Sequence, residues 1–137
     1  MSHPIHPALV HVPIGGFTVL TLGDFGHLSG FIGELPGLEF VLIISLIVAI
    51  PAMIFGVVDF LKITDTQTAT LAIAHAGAMG IAWILYLLRL LVTRSPESLT
   101  LFDPQWLSIP AFFVMAVGGW FGGNLVYRYG VGINKHH

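Results

Sequence analysis

Two histidines, His11 and His75, stand inside long apolar runs, the first in "HPALVHVP" and the second in "AIAHAGAMG". A polar ring in hydrocarbon is costly and usually marks a pairing partner or a pathway. Neutral imidazole is a common ligand of haem iron and of other transition metals, and a porphyrin between helices takes two such nitrogens on opposite faces. His11 and His75 are therefore candidate axial ligands of a b-type haem. A second reading makes them ligands of a transition-metal ion, or members of a proton relay, in a transporter or sensor. The plainest reading makes each a histidine hydrogen-bonded to a neighbouring helix. His6 replaces His11 if the first span begins later, and His3 is expected in solvent. Met79 follows His75 by one turn on the same helix, cannot reach the opposite face of an iron, and is assigned to packing or to a soft contact with the macrocycle.

Two further groups accompany the histidines. Asp59 is a candidate acceptor for the N–H of a ligating imidazole, or else a partner of Lys62 or Arg128 at the membrane surface. The stretch "GGWFGGN" carries Gly118, Gly119, Gly122, Gly123 and Asn124. Its glycines either let helices approach closely or leave room for a flat, bulky cofactor. Asp24 and His27, one turn apart in "GDFGHLSG", lie at a depth comparable to that of Tyr86 and Arg89 of "ILYLLRLL", and the plain reading is an Asp24–Arg89 ion pair. Steps of about 100° per residue put Arg89 on nearly the same helix face as His75, whereas Asp24 lies about 140° around the helix from His11. Either a bend at Pro13 turns His11 inward, or one of the two groups faces another subunit in a homodimer. One histidine in the far half argues against a second haem there.

The elements that must position these groups are legible in the composition. Of 137 residues 55% are hydrophobic and only 9% charged, against about 25% charged in an average soluble domain. The chain reads as an integral membrane protein of one all-α domain, 1–137. Four apolar stretches, 8–32, 38–62, 67–93 and 105–129, each provide the ~20 residues that a bilayer crossing needs. Short connections make neighbours antiparallel, so an up-down-up-down four-helix bundle is expected, with both termini on one side. On that side His11 and His75 fall within about 6 Å of the same depth at 1.5 Å rise per residue. Lys62, Arg128 and Lys135 lie there, against Arg94 and Arg89 opposite, which favours termini in the cytoplasm.

The absence of cysteine excludes disulfides, thiolate zinc sites, cysteine-ligated clusters and covalent c-type haem. A net charge of −2 with five Lys and Arg leaves no basic patch for nucleic acid. The start "MSHPIHP" lacks a basic segment, so no cleaved signal peptide is expected, and His136 and His137 are given no role. No nucleophile–base pair, phosphate loop or carboxylate cage for calcium or magnesium stands out, which speaks against hydrolysis and phosphoryl transfer.

The segments "HPALVHVPIG", "GVVD", "AHAG" and "NLVYRYGVG" together resemble the bacterial membrane proteins of domain-of-unknown-function family 2231, over essentially the whole chain. The resemblance implies a four-helix inner-membrane protein, in a family some of whose members are joined to or encoded beside redox domains. It also implies His6, His11, Asp24, Asp59, His75, Tyr127 and Gly130 as signature positions. Val12 departs from the Phe common there and affects packing around His11. The function expected from residues and resemblance together is electron transfer by a membrane b-type cytochrome, between the quinone pool and a partner protein. In that reading His11 and His75 hold the iron, Asp59 orients a ligand, the glycines make room, and Asp24, His27, Arg89, Asn124 and Tyr127 form an outer shell or relay. The remaining alternative is a structural or assembly subunit of a membrane redox complex.

Overall fold

The computed structural model describes residues 5–96 and 102–131. His3, Lys135, His136 and His137 lie outside that range. Among the described residues all regular structure is helical: α1 (Ile5–Leu9), α2 (His11–Leu28), α3 (Leu38–Phe60), α4 (Thr66–Thr93), a 3-10 turn (Pro104–Leu107) and α5 (Ser108–Tyr127). Four stretches, Ile5–Leu28, Leu38–Phe60, Thr66–Thr93 and Pro104–Tyr127, are long and apolar enough to cross a membrane. A helix is the form such a run must take in lipid, because it satisfies every backbone polar group within the segment.

The boundaries follow local chemistry. The first span ends four residues earlier than hydropathy predicts, because Gly30, at φ +75°, turns the chain out of α2. There the Phe31 N–H bonds the Gly26 carbonyl and the Gly30 N–H bonds the His27 carbonyl, a closure that the left-handed backbone of glycine permits. The Asp65 side chain caps α4 by accepting from the Thr68 N–H at 2.8 Å, and this bond holds its carboxyl below the usual carboxylate range. Asp103 caps the 3-10 turn through the Gln105 N–H, with Pro104 in the first position, where its missing donor costs nothing. The break between α1 and α2 falls at Val10. Pro13 has no N–H to offer the Leu9 carbonyl four residues earlier, so the ladder is interrupted where its carbonyl partner sits.

Helices α2, α3, α4 and α5 pack in a ring, each against the next and α5 back against α2, while α1 leans onto α3. This is the antiparallel four-helix bundle that the short connections require. The diagonal pair α2 and α4 meets through long side chains in the half away from the termini. Tyr86 lies flat on Phe17, ring centroids 4.1 Å apart and 2° from parallel, surrounded by Leu20, Leu42, Leu46, Ala82, Ala111 and Met115. Large apolar side chains such as Phe31, Phe40, Leu22, Phe113 and Trp120 point outward, as lipid-facing residues do.

Without a hydrophobic drive between helices in lipid, close contact depends on small residues. Gly16 shows this on α2. A Cβ there would stand on the Ser45 hydroxyl, 3.2 Å from Ser45 Cβ and 3.4 Å from Val41 Cγ1, whereas a Cβ on its exposed neighbour Gly15 meets nothing within 4 Å. Gly16→Ala is therefore expected to destabilise the bundle by about 1–3 kcal/mol through overpacking. Gly15→Ala should gain about 0.5–1 kcal/mol of helix stability. Thermal unfolding in detergent reads both, and Ser45→Ala should relieve most of the Gly16→Ala loss.

Candidate functional site

The half of the bundle near the termini holds two imidazoles, one on α1 and one on α4. They belong to His6 and His75, whose ring centroids are 6.4 Å apart with planes at 81°. His6 Nδ1 lies 2.7 Å from the Ala52 carbonyl of α3, and His75 Nδ1 lies 2.8 Å from the Gly118 carbonyl of α5. A carbonyl only accepts, so in each neutral ring Nδ1 carries the proton and Nε2 keeps its lone pair. Neither Nε2 has a hydrogen-bond partner among the described residues. Each bond taken alone is the interhelical tie of an ordinary intramembrane histidine. Two such rings brought together, with the same nitrogen tied back in each, go beyond it. Two metal–nitrogen bonds of about 2 Å, plus the step from nitrogen to ring centre on either side, span about 6 to 6.5 Å. The observed separation is one at which two imidazoles can share a single metal ion.

His11 is not part of this pair. It is exposed on α2 and makes only a long contact, 3.4 Å, to the Ala8 carbonyl of its own chain segment. The reason is helical phase. Asp24 is fully buried, and a residue about 140° around the same helix must then face out. His6 precedes Asp24 by 18 residues, five whole turns at 3.6 residues per turn, and so shares its inward face despite the break at Val10. That phase was available in the sequence and picks out His6.

The remaining residues of this half fall differently from the expectation. Asp59 touches neither imidazole: it pairs with Lys62 at 2.7 Å near the end of α3, and backbone carbonyls do the orienting assigned to it. Gly118 and Gly122 face α4. A Cβ on Gly118 would lie 2.8 Å from Met79 Sδ and 3.2 Å from Ala78 Cβ, and one on Gly122 would lie 2.8 Å from His75 Cε1. These two glycines therefore serve close approach, and Met79 packs on α5 as expected of a packing residue. Gly119 is exposed with nothing within 4 Å of its Cβ position, and the only atom near Gly123 is on Tyr127, at 4.0 Å. Neither lines the imidazole layer. Asn124 bonds back to the Trp120 carbonyl at 2.8 Å, and Tyr127 is 92% exposed, so neither relays to the histidines. Gly130, at φ +69°, ends α5.

The opposite half contains a second polar group. Arg89 of α4 grips Asp24 of α2 with two bonds, Nε to Oδ2 at 3.1 Å and a terminal nitrogen to Oδ1 at 2.8 Å, and both side chains are buried. The Ser108 hydroxyl also donates to Asp24 Oδ2, and Thr93 Oγ1 takes a further Arg89 donor at 3.4 Å. Thr21 and Tyr86 share a 2.8 Å bond alongside. Both oxygens of the carboxylate accept hydrogen bonds, as a buried charge requires, so this group ties the diagonal helices rather than offering an open site. His27, one turn further out, has a buried Nδ1 with no hydrogen-bond partner among the described residues, and the same holds for Gln105 Oε1 in the 3-10 turn. Thr21 and Ser108 escaped the sequence reading because single hydroxyls in apolar runs are common. Their signal was depth: antiparallel helices set Ser108, at the start of α5, level with Asp24, near the end of α2.

Fold and site together define a four-helix membrane bundle with a paired-imidazole layer in one half and a buried ion pair in the other. The chain belongs to the family described as Predicted membrane protein (DUF2231), which matches residues 2–135. No curated protein and no solved structure matches it.

Proposed function

We propose that this membrane protein is a b-type cytochrome of the bacterial inner membrane, in which His6 and His75 would hold the haem, with both termini in the cytoplasm. The observation that carries the reading is the 6.4 Å pair of imidazoles from α1 and α4, each with Nδ1 tied to a backbone carbonyl. Metal-ligating histidines use their second nitrogen in this way, which fixes ring orientation and raises ligand basicity. The donor set fits as well. No group of three or more His, Cys, Asp or Glu side chains gathers among the described residues, so a zinc cage is not formed by them. Iron in a macrocycle needs only two further ligands.

The imidazole half is less fully enclosed than the other. Gly56 and Gly122, which flank the rings, are only half-buried, as are both histidines, whereas Leu20, Leu42, Tyr86 and Ala111 of the other half are fully buried. Bound haem would supply a one-electron redox centre. The protein's part is to hold two imidazoles in a set orientation, to surround them with apolar helices and to fasten the opposite half. Its electrons would pass between the quinone pool and a partner protein.

The test is a visible absorption spectrum of protein purified in mild detergent without added haem. A Soret band that shifts on dithionite reduction is the expected result. A colourless preparation overturns the reading. Stoichiometric bound metal in that preparation would assign the same pair to a metal ion, and no metal would leave a structural or assembly subunit.

A further inference from the structure

The two histidines are held by the same device twice, although nothing in their local sequences is alike. His6 Nδ1 meets the carbonyl of Ala52, and the ring lies against Gly56, four residues on. His75 Nδ1 meets the carbonyl of Gly118, and the ring lies against Gly122, again four residues on. In each case the atoms nearest the glycine's absent Cβ are Cε1 and then Nδ1. The distances are 3.1 and 3.2 Å at Gly56, and 2.8 and 3.0 Å at Gly122, with Nε2 at 3.6 Å in both.

The repeat has a physical origin. A helix carbonyl at one position accepts from the N–H four residues later and keeps a second lone pair. The Cα–Cβ bond of that later residue tilts toward the helix N-terminus, so any side chain there leans over the carbonyl. An imidazole that lies across the later residue reaches the free lone pair most closely where that residue is glycine, as both rings do here. Each hairpin of the bundle supplies one such cradle: α1 and α2 with α3 in the first, α4 with α5 in the second. In both the histidine is on the leading arm and the carbonyl and glycine are on the returning helix. The same two leading arms carry Asp24 and Arg89, which meet at the other end. The two hairpins thus repeat one arrangement of ring, carbonyl and glycine.

We infer that Gly56 and Gly122 are positioning residues, which with the Ala52 and Gly118 carbonyls form matched cradles that fix both imidazoles as Nδ1–H tautomers. Their role at the site rests on the proposed function; the tautomers do not.

The experiment is nitrogen NMR of the full chain in detergent, labelled with 15N-histidine, prepared without haem and recorded at a pH where the rings are neutral. His6→Ala and His75→Ala assign the signals. Both rings are expected to show a protonated Nδ1 and a bare Nε2. Gly122→Ala should abolish that pattern for His75 and leave His6 unchanged, which also shows that the variant folds. Gly56→Ala, with its looser contacts, should weaken the pattern for His6 alone. Gly119→Ala, outward-facing, should change neither. Protonated Nε2 on both rings, a His75 signal unmoved by Gly122→Ala, or an equal effect from Gly119→Ala overturns the inference. Expected tautomers in a protein that purifies colourless would keep the cradles and reject the haem.

Discussion

Arg89→Leu should be the most destabilising single change in the chain, lowering stability by about 3–5 kcal/mol, because it removes both charged bonds to a buried carboxylate and leaves that charge unpaired. Asp24 has essentially no exposure and would keep only the Ser108 hydroxyl as a polar partner. Asp24→Leu strands the guanidinium in the same way and should cost a similar amount. The double variant, Asp24→Leu with Arg89→Leu, should recover most of either loss, since a buried pair replaced by well-packed apolar groups is often neutral or better. Denaturant or thermal unfolding in detergent measures all three. Additive losses in the double variant would show that the two side chains do not act on one another. By contrast Arg94, whose Nε bonds Glu39 Oε1 at 2.8 Å with both side chains exposed, belongs to the class of surface pairs worth about 0–1 kcal/mol.

The second large effect concerns the imidazoles. On the proposed haem function, His75→Ala and His6→Ala should each remove the bis-histidine spectrum entirely, and His11→Ala should leave it unchanged. The three variants separate two ligand pairs, His6 with His75 and His11 with His75, that depth along the membrane ranks in the opposite order. His6 and His75 stand 6.4 Å apart between ring centroids, and His11 reaches only its own segment. Loss of the spectrum in His11→Ala with retention in His6→Ala would reject the pair described above. Stability should respond less than colour, because each histidine makes one hydrogen bond of a kind worth about 0.5–1.5 kcal/mol. A variant that loses the spectrum while keeping its unfolding midpoint within a few degrees thus identifies a ligand rather than a packing residue.

Much of the architecture was legible before any coordinates. The spans differ from the hydropathy reading by no more than four residues at any end, and the largest difference, at the end of α2, lies where Gly30 turns the chain out. The Asp24–Arg89 pair followed from depth and from the cost of burying a charge alone. His75 followed from being an imidazole in the middle of small residues at the level where another span brought histidine. What misled was the choice between His6 and His11. Depth favoured His11, a turn further into the membrane, but depth is a coarse coordinate along the axis. Phase around the axis excluded it, and five whole turns from Asp24 pointed to His6. Asp59 misled for a related reason: a carboxylate is visible in a sequence and a backbone carbonyl is not, so the orienting group was sought among side chains.

The amino-acid sequence by itself determined that this chain crosses a membrane as four antiparallel helices and that its few polar groups gather in two layers. Those outcomes depend on quantities that add along a chain: apolar length, loop length and the desolvation of each charge. Only the tertiary structure decided which imidazole meets which, that Gly118 and Gly122 press against Met79 and His75 while Gly119 faces out, and that backbone carbonyls hold the rings. Those outcomes depend on how helices rotate and approach to within a fraction of an ångström, and every residue in the interface sets that at once.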